Sequence, residues 1–389
     1  MYDFSRRPPR KNKGSMKWDL MGDVNPNVKD EVVPLSVADM EFITAPEIRE
    51  GLKEYIDQEI LGYTQMWDGY RETIRNWCKN MHQWDIQPEW IVNTPGVVSA
   101  IYDAIEGFTK DTDSIILLSP VYYPFQLAIQ NTNRKEVRVP LLEEEGYYRI
   151  DFKALEEAMK LEDTKMLIFC NPHNPVGRVW TKEELEKVHR LCKTYNIFLL
   201  SDEIWWDIIL PGHKHISMGK ILDDESRGMI CTSASKTFNL AGLATSNIII
   251  PNEKVREIYQ MALEKSDRGG VSALGLVGTK VAFDKGEPWL KECLEVIDKN
   301  RKYMEDFFDQ HLPQITYSPM EGTYLFWADF RSIEEDYKEL EEFMTKKAEL
   351  ILDEGYIFGE EGKGWERFNL ACPTEVLVET MERLLEALS

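Results

Sequence analysis

Five short apolar runs alternate with polar, helix-patterned segments between residues 114 and 251, and this rhythm limits the folds open to the chain. The runs are SIILLSP (114–120), KMLIFC (165–170), IFLLSDE (197–203), GMICTSAS (228–235) and SNIIIP (246–251). An unbroken apolar run has no polar face, so a strand built from it is covered on both sides. Between the second and third runs lies TKEELEKVHRLCKTY (181–195). There Thr181 and Glu184 read as a capping box, and Leu185, Val188 and Cys192 fall on one helical face. Strands alternating with helices predict an α/β fold with a mostly parallel sheet flanked by helices.

The texture changes after about residue 290. WLKECLEVIDKNRKYMEDFF reads as a charged helix, GTYLFWADF as a strand, and the last segment places Leu377, Met381, Leu384 and Leu388 on one stripe. This predicts a second, smaller α+β domain. The opening residues lack the strand–helix rhythm and are polar and turn-rich, as a loose tail would be, although VPLSVADMEF reads as ordered. A helix begins near Pro46, with Ile48, Leu52, Tyr55 and Ile56 on one face. The expected division is a large domain over 46–288 and a small domain formed by both chain ends, 1–45 with 289–389.

The formal charge of −22 argues against nucleic acid, which selects basic surfaces, and against anionic membranes. No run of 18 apolar residues is present, and MYDFSRRPPRKNKGS is basic without the apolar centre of a secretory signal. The six cysteines form no CxxC pair and several sit in apolar runs, so they read as buried thiols in a reducing cytoplasm, with no metal site.

Four motifs fall at the C-terminal ends of the predicted strands, where open α/β sheets bind ligands. NTPGVVSA (93–100) is a Pro-Gly turn entering a helix, whose free N–H groups suit a phosphate. Taken singly it reads more simply as a plain turn. CNPHNPVGRVW (170–180) carries two Asn-Pro pairs that predict a rigid extended loop offering Asn174. SDEIWWD (201–207) ends a buried strand on Asp202, a carboxylate that needs a positive partner unless it serves as a helix cap. CTSASKTFNLAGL (231–243) sets Lys236 among small and apolar residues, with Ser233 and Ser235 beside it. A lysine there loses its proton readily and can form a Schiff base with an aldehyde. Phosphate cradle, amide, carboxylate and Schiff-base lysine together match the requirements of pyridoxal phosphate (PLP).

In this order, with PVYYPF (120–125) and RFNLA (367–371), the motifs resemble the fold-type I PLP enzymes of the class I/II aminotransferase group over essentially the whole chain. KWD (17–19), VADMEF (37–42), GYT (62–64), PHNPVGRVW, SKTFNLAGL and TYLFW (323–327) resemble its cystathionine β-lyase, or C–S lyase, branch. The resemblance implies a large domain with a seven-stranded-type sheet. It also implies roles. Lys236 would carry PLP and shuttle the proton. Asp202 would pair with the pyridine nitrogen, Asn174 would bond the ring hydroxyl, and Tyr122, rather than Tyr123, would stack on the ring. Gly96, Val97 and Val98 would bind the phosphate through backbone N–H groups, with Ser233 adding a hydroxyl. Arg367 would bind the carboxylate of the amino-acid substrate, assisted by Asn174 and Tyr122. Tyr63 would reach the phosphate of a neighbouring subunit, which implies a homodimer with shared sites.

Two positions depart from the wider pattern. Trp205 stands where Tyr or His usually donates to the ring hydroxyl; its indole N–H could donate, and its bulk would reshape the pocket. Ala244 stands in the region where an Arg often binds phosphate, leaving Thr237 or nearby backbone to compensate. The same machinery serves β-elimination of a thiolate and transamination. The expectation is C–S β-lyase activity on cystathionine or related S-substituted L-cysteines. An aminotransferase for neutral or aromatic amino acids is the alternative, and a regulatory PLP-fold protein is the alternative of another class.

Overall fold

The structure, a computed structural model, describes residues 1–266 and 270–389. Its main sheet begins with β1 (Ile91–Thr94), β2 (Ser114–Ser119) and β3 (Lys135–Pro140). A hairpin of β4 (Leu142–Glu144) and β5 (Tyr147–Arg149) follows, and the sheet resumes with β6 (Thr164–Cys170), β7 (Phe198–Asp202), β8 (Gly228–Thr232) and β9 (Ser246–Ile249). The spatial order is β1-β9-β8-β7-β6-β2-β3. Neighbours from β8 to β3 pair in parallel, while β9 runs antiparallel to both β8 and β1.

Strand alternation divides the apolar runs between two faces. Ile115, Leu117, Ile168, Leu200, Cys231 and Ile248 pack against the helix Val97–Phe108, while Ile116, Leu118, Leu167 and Leu199 pack against the helix Lys182–Thr194. The capping box at Thr181 and Glu184 forms as the spacing predicts. Covered on both faces, the sheet leaves its C-terminal edge as the place where polar side chains gather.

The second sheet is antiparallel: β10 (Thr316–Tyr317), β11 (Leu325–Asp329), β12 (Asp353–Glu354) and β13 (Trp365–Asn369), in the order β10-β11-β13-β12. Met304 and Phe308 from the helix Glu287–His311, with Leu377, Met381 and Leu384 from the helix Thr374–Leu388, join Phe326 and Phe368 in its core. That core continues through Ile48, Trp77, Trp205 and Phe238, so packing is unbroken between the two sheets. Among the described residues no helix is long and apolar enough to cross a membrane.

The polar opening is not a loose tail. Leu35 donates its N–H to the Ile351 carbonyl (2.8 Å) and accepts from Asn369 N (2.9 Å), which lays the chain start against β13. Ahead of it, Lys17 is buried, its side chain 1% exposed. Its ammonium meets Asp39 Oδ1 at 2.9 Å and Glu41 Oε1 at 3.0 Å, and donates to the Asp39 carbonyl at 2.8 Å. Arg10 closes the group against Asp39 Oδ2 (2.5 Å) and Glu41 Oε1 (2.7 Å). Two cations thus face two anions, the balance a buried ionic cluster requires. Replacing Lys17 by Met leaves Arg10 alone against both carboxylates and is expected to lower stability by about 3 kcal/mol. Urea unfolding checks this; an unchanged midpoint would mean the cluster does not anchor the chain start.

Candidate active site

The ends of β1, β2, β6, β7 and β8, the start of β9 and the strands β12 and β13 of the smaller sheet border a cavity of about 360 Å³. Lys236, Asp202, Asn174, Arg367, Tyr122, Trp205, Gly96, Val97 and Val98 all lie in its wall. Two residues assigned from the sequence do not. Tyr63 projects fully into solvent, away from the cavity of its own chain. Ser233 is buried as the N-cap of the short helix Ala234–Thr237. Its hydroxyl donates to the Thr245 carbonyl (2.7 Å) and accepts from Ser235 N (3.1 Å). Its hydroxyl is spent on the turn, and Ser235 lines the cavity instead. Thr237 is likewise committed: its hydroxyl donates to Asp207 Oδ2 at 2.7 Å and is not available to a phosphate.

At one end of the cavity, β1 leads through Pro95 and Gly96 into the helix Val97–Phe108. Gly96 has φ 154° and ψ 158°, a conformation that glycine alone adopts readily. No side chain caps this helix, so the backbone N–H groups of its first turn are left for a ligand. Ala244, left-handed at φ 44°, lines the cavity without supplying a charge.

Asp202 is the last residue of β7. Its carboxylate accepts the N–H of Ile204 at 3.0 Å, and among the described residues no ion pair reaches it. Burial raises its pKa to about 7, against which the Ile204 N–H and the charge of Lys236 act only in part. Lys236 leaves β8 on the following helical turn and donates to the Ala38 carbonyl at 2.7 Å. Burial first, then the positive charge of Arg367, lowers its pKa to about 8. Trp205 stands against it, its ring centroid 5.5 Å from Nζ, and packs T-shaped on Tyr324 with centroids 4.7 Å apart. Tyr324 also donates to the Ala38 carbonyl, at 2.9 Å.

Arg367 lies on β13 directly opposite Asp353 on β12, and the antiparallel register makes the two an ion pair. Nη1 of the same guanidinium donates to Asn174 Oδ1 at 2.9 Å, while Nε is buried without a partner. Asn174 belongs to the Asn-Pro loop, a compact turn closed by Gly177 N on the His173 carbonyl (2.8 Å). His173 Nε2 lies 2.8 Å from the Pro120 carbonyl, and burial lowers the pKa of this ring to about 4, so it stays neutral and fixes the loop to the end of β2.

Sequence reading named Ser235 beside Lys236 without giving it a role, and did not single out Ala38 or Asp353. Each reaches the cavity through a tertiary contact or a local cap, and no motif spacing signals it. The VADMEF run was the one trace of Ala38.

The arrangement combines a neutralisable amine, an unpaired buried carboxylate, an anion cradle and a half-occupied guanidinium, the outfit of an enzyme acting on amino acids through an aldehyde cofactor. The chain belongs to the family of aminotransferases of class I and II, whose model matches residues 30–388. It is 37% identical over 388 residues to cystathionine β-lyase PatB of Bacillus subtilis, covering all of both chains. Cystalysin from Treponema denticola, whose crystal structure contains PLP, superposes with a TM-score of 0.98 at 48% identity, over 100% of this chain and 99% of that one. The PLP-bound C–S lyase from Staphylococcus hominis gives a TM-score of 0.92 at 31% identity, over 100% and 98%.

The two shifted groups predict a pH dependence for the ligand-free protein. With Asp202 at about 7 when folded, the native state keeps a proton that the unfolded chain releases near pH ~4, so stability falls as pH rises through this interval. Lys236, at about 8 when folded, has released a proton that an unfolded lysine holds until pH ~10.4, so stability recovers only above pH 8. Asp202→Asn removes the falling limb. Urea unfolding is expected to find this variant more stable than the parent near pH ~7.5 and equal to it near pH ~4.

Proposed function

We propose that this protein is a PLP-dependent carbon–sulfur β-lyase that cleaves cystathionine or related S-substituted L-cysteines to a thiol, pyruvate and ammonia. The observation that carries the reading is the meeting of Lys236, Asp202 and Arg367 in one cavity, each with a capacity that no protein group satisfies. Full-length relatedness to a cystathionine β-lyase and to C–S lyases supports elimination as the outcome.

The residues present fit the cofactor. The uncapped helix start at Gly96, Val97 and Val98 suits a phosphate, and Asp202 lacks the cation that a protonated pyridine nitrogen provides. Tyr122 would flank the ring, with Trp205 and Asn174 near its hydroxyl. Bound PLP supplies an electron sink that acidifies the Cα–H of an attached amino acid.

Arg367 is the carboxylate anchor. Asp353 and Asn174 hold its two Nη atoms, and Nε remains for the substrate as a charge-assisted donor. Lys236 Nζ, which needs little free energy to shed its proton near neutrality, holds the cofactor in the resting enzyme and then takes the Cα proton. Asp202, once charged, would hold a pyridine nitrogen in its protonated form and so favour the electron flow. With Lys236 taking back the cofactor from the product, loss of the Cα proton and of the Cβ thiolate would yield a thiol and an enamine that water hydrolyses to pyruvate and ammonia.

Two copies of the chain form the working enzyme in this reading. Ile60 and Leu61 are 87% and 62% exposed beside the projecting Tyr63, an apolar loop that a partner would cover while receiving the Tyr63 hydroxyl at its phosphate site. Six buried free thiols suit a cytoplasmic setting.

The purified protein, given L-cystathionine with no 2-oxo acid, is expected to be yellow and to release pyruvate and free thiol continuously. Lys236→Ala lowers this turnover by at least about 10²-fold. Arg367→Lys loses the fork geometry and raises KM roughly tenfold. Turnover that starts only when a 2-oxo acid is added would make the protein an aminotransferase. Sedimentation at micromolar concentration checks the dimer.

A further inference from the structure

Ser246, the first residue of β9, lies in the cavity wall and is 1% exposed, yet its hydroxyl has no hydrogen-bond partner in the protein. A buried hydroxyl left unpaired is unfavourable, so its presence calls for a ligand. Strand alternation fixes where it faces. Asn247 points to the opposite side, where its Oδ1 accepts from Tyr70 (2.7 Å) and Asn93 (2.8 Å). Ser246 therefore shares a face with Ile248, which packs in one cluster with Val97, Ala100 and Ile101 of the helix Val97–Phe108. In the antiparallel ladder Ser246 pairs with Thr94, two residues before Gly96, which sets it beside the turn that opens this helix. Among the described residues that line the cavity, Lys236 and Arg367 are the only cations, and Arg367 is already bound to Asp353 and Asn174.

We propose that Ser246 is a phosphate ligand, a neutral hydroxyl donor that works with the uncapped N–H groups of Val97 and Val98 on the phosphate of the cofactor. The inference rests on the PLP reading above. In it, recognition at this end of the cavity is by neutral donors, one helix start and the hydroxyl of Ser246, with Ser99 and Ser235 carrying further hydroxyls in the wall. Hydrogen bonds to a charged acceptor are the stronger kind, so the loss of one is measurable.

The test compares PLP with pyridoxal, which carries the same aldehyde and ring but no phosphate. Both are titrated into the cofactor-stripped full-length protein and followed by quenching of tryptophan fluorescence. Ser246→Ala is expected to raise the Kd for PLP roughly tenfold and to leave the Kd for pyridoxal unchanged. Ser246→Thr, which keeps the hydroxyl, is expected to bind PLP like the parent. Inorganic phosphate should raise the melting temperature of the stripped parent more than that of Ser246→Ala. Equal weakening for PLP and pyridoxal, or no weakening of either, would overturn the assignment of Ser246 while leaving the PLP reading intact. A parent protein that binds neither compound would overturn both.

Discussion

The site depends on one unfavourable act, the burial of the Asp202 carboxylate at the end of a central strand without a cation beside it. A strand covered on both faces ends in a region of low dielectric, where an unpaired charge is held only against a large desolvation penalty. The protein meets the penalty by letting the group take a proton, which is what a pKa of about 7 expresses. Lys236 is strained in the opposite sense, toward the free amine. Both groups are poised to change state on contact with a cofactor that brings a positive nitrogen to one and an aldehyde to the other. These two groups therefore contribute least to the ligand-free fold between pH about 7 and about 8, and the rigidity of the site has to come from elsewhere.

Part of that rigidity comes from the chain start. The Ala38 carbonyl, which receives both Lys236 Nζ and the Tyr324 hydroxyl, sits on an irregular segment that no sheet supports. The ionic cluster of Arg10, Lys17, Asp39 and Glu41 pins the next residues from one side. Asn369 Nδ2 holds the Val37 and Asp39 carbonyls at 3.0 and 2.7 Å, and Asn239, three residues beyond Lys236, bonds both the N–H and the carbonyl of Met40 at 2.9 Å. The acceptor for the reactive amine is thus fixed by residues far apart in sequence. Met16, next to the buried Lys17, reaches the cavity rim, so the same segment shapes the entrance.

The parallel strands and the capped helix of the large sheet were readable because their signals are local: an apolar run declares a covered strand, and Thr181 with Glu184 declares a helix start. Lys236, Asp202 and Asn174 were readable because a charge or amide at the end of such a run has no comfortable structural use, whereas Arg367 came only through the resemblance of RFNLA to a known family. The failures have a different origin. The antiparallel course of β9 is a matter of connection and leaves no mark on the residues SNII. Ser233 and Ser235 are the same residue type two positions apart, and only the cap geometry decides which hydroxyl faces the cavity. Asp353 acquires its meaning from the register of β12 against β13, and the polar opening segment hid an ordered arm because its stabilising groups are charges that pair across 22 to 31 residues.

A second layer explains how a reactive lysine can sit on a single helical turn. The turn Ala234–Thr237 is too short to stabilise itself, since the first turn of a helix is unfavourable without tertiary support. Ser233 caps it from the front. From behind, Thr237 is tied to Asp207, whose other oxygen accepts from Trp77 Nε1 at 3.0 Å and meets His82 Nε2 at 2.8 Å. His82 stacks on Trp206 with centroids 3.9 Å apart, and Glu203, the neighbour of Asp202, is bonded by Ser201, Met218 N and His215. Both reactive residues thus have an immediate neighbour whose polar side chain is fully engaged inside the protein. The neighbours hold the backbone still, and the two side chains that face the cavity are left with their charges unanswered. A site of this kind keeps its functional groups unsatisfied by satisfying the residues next to them.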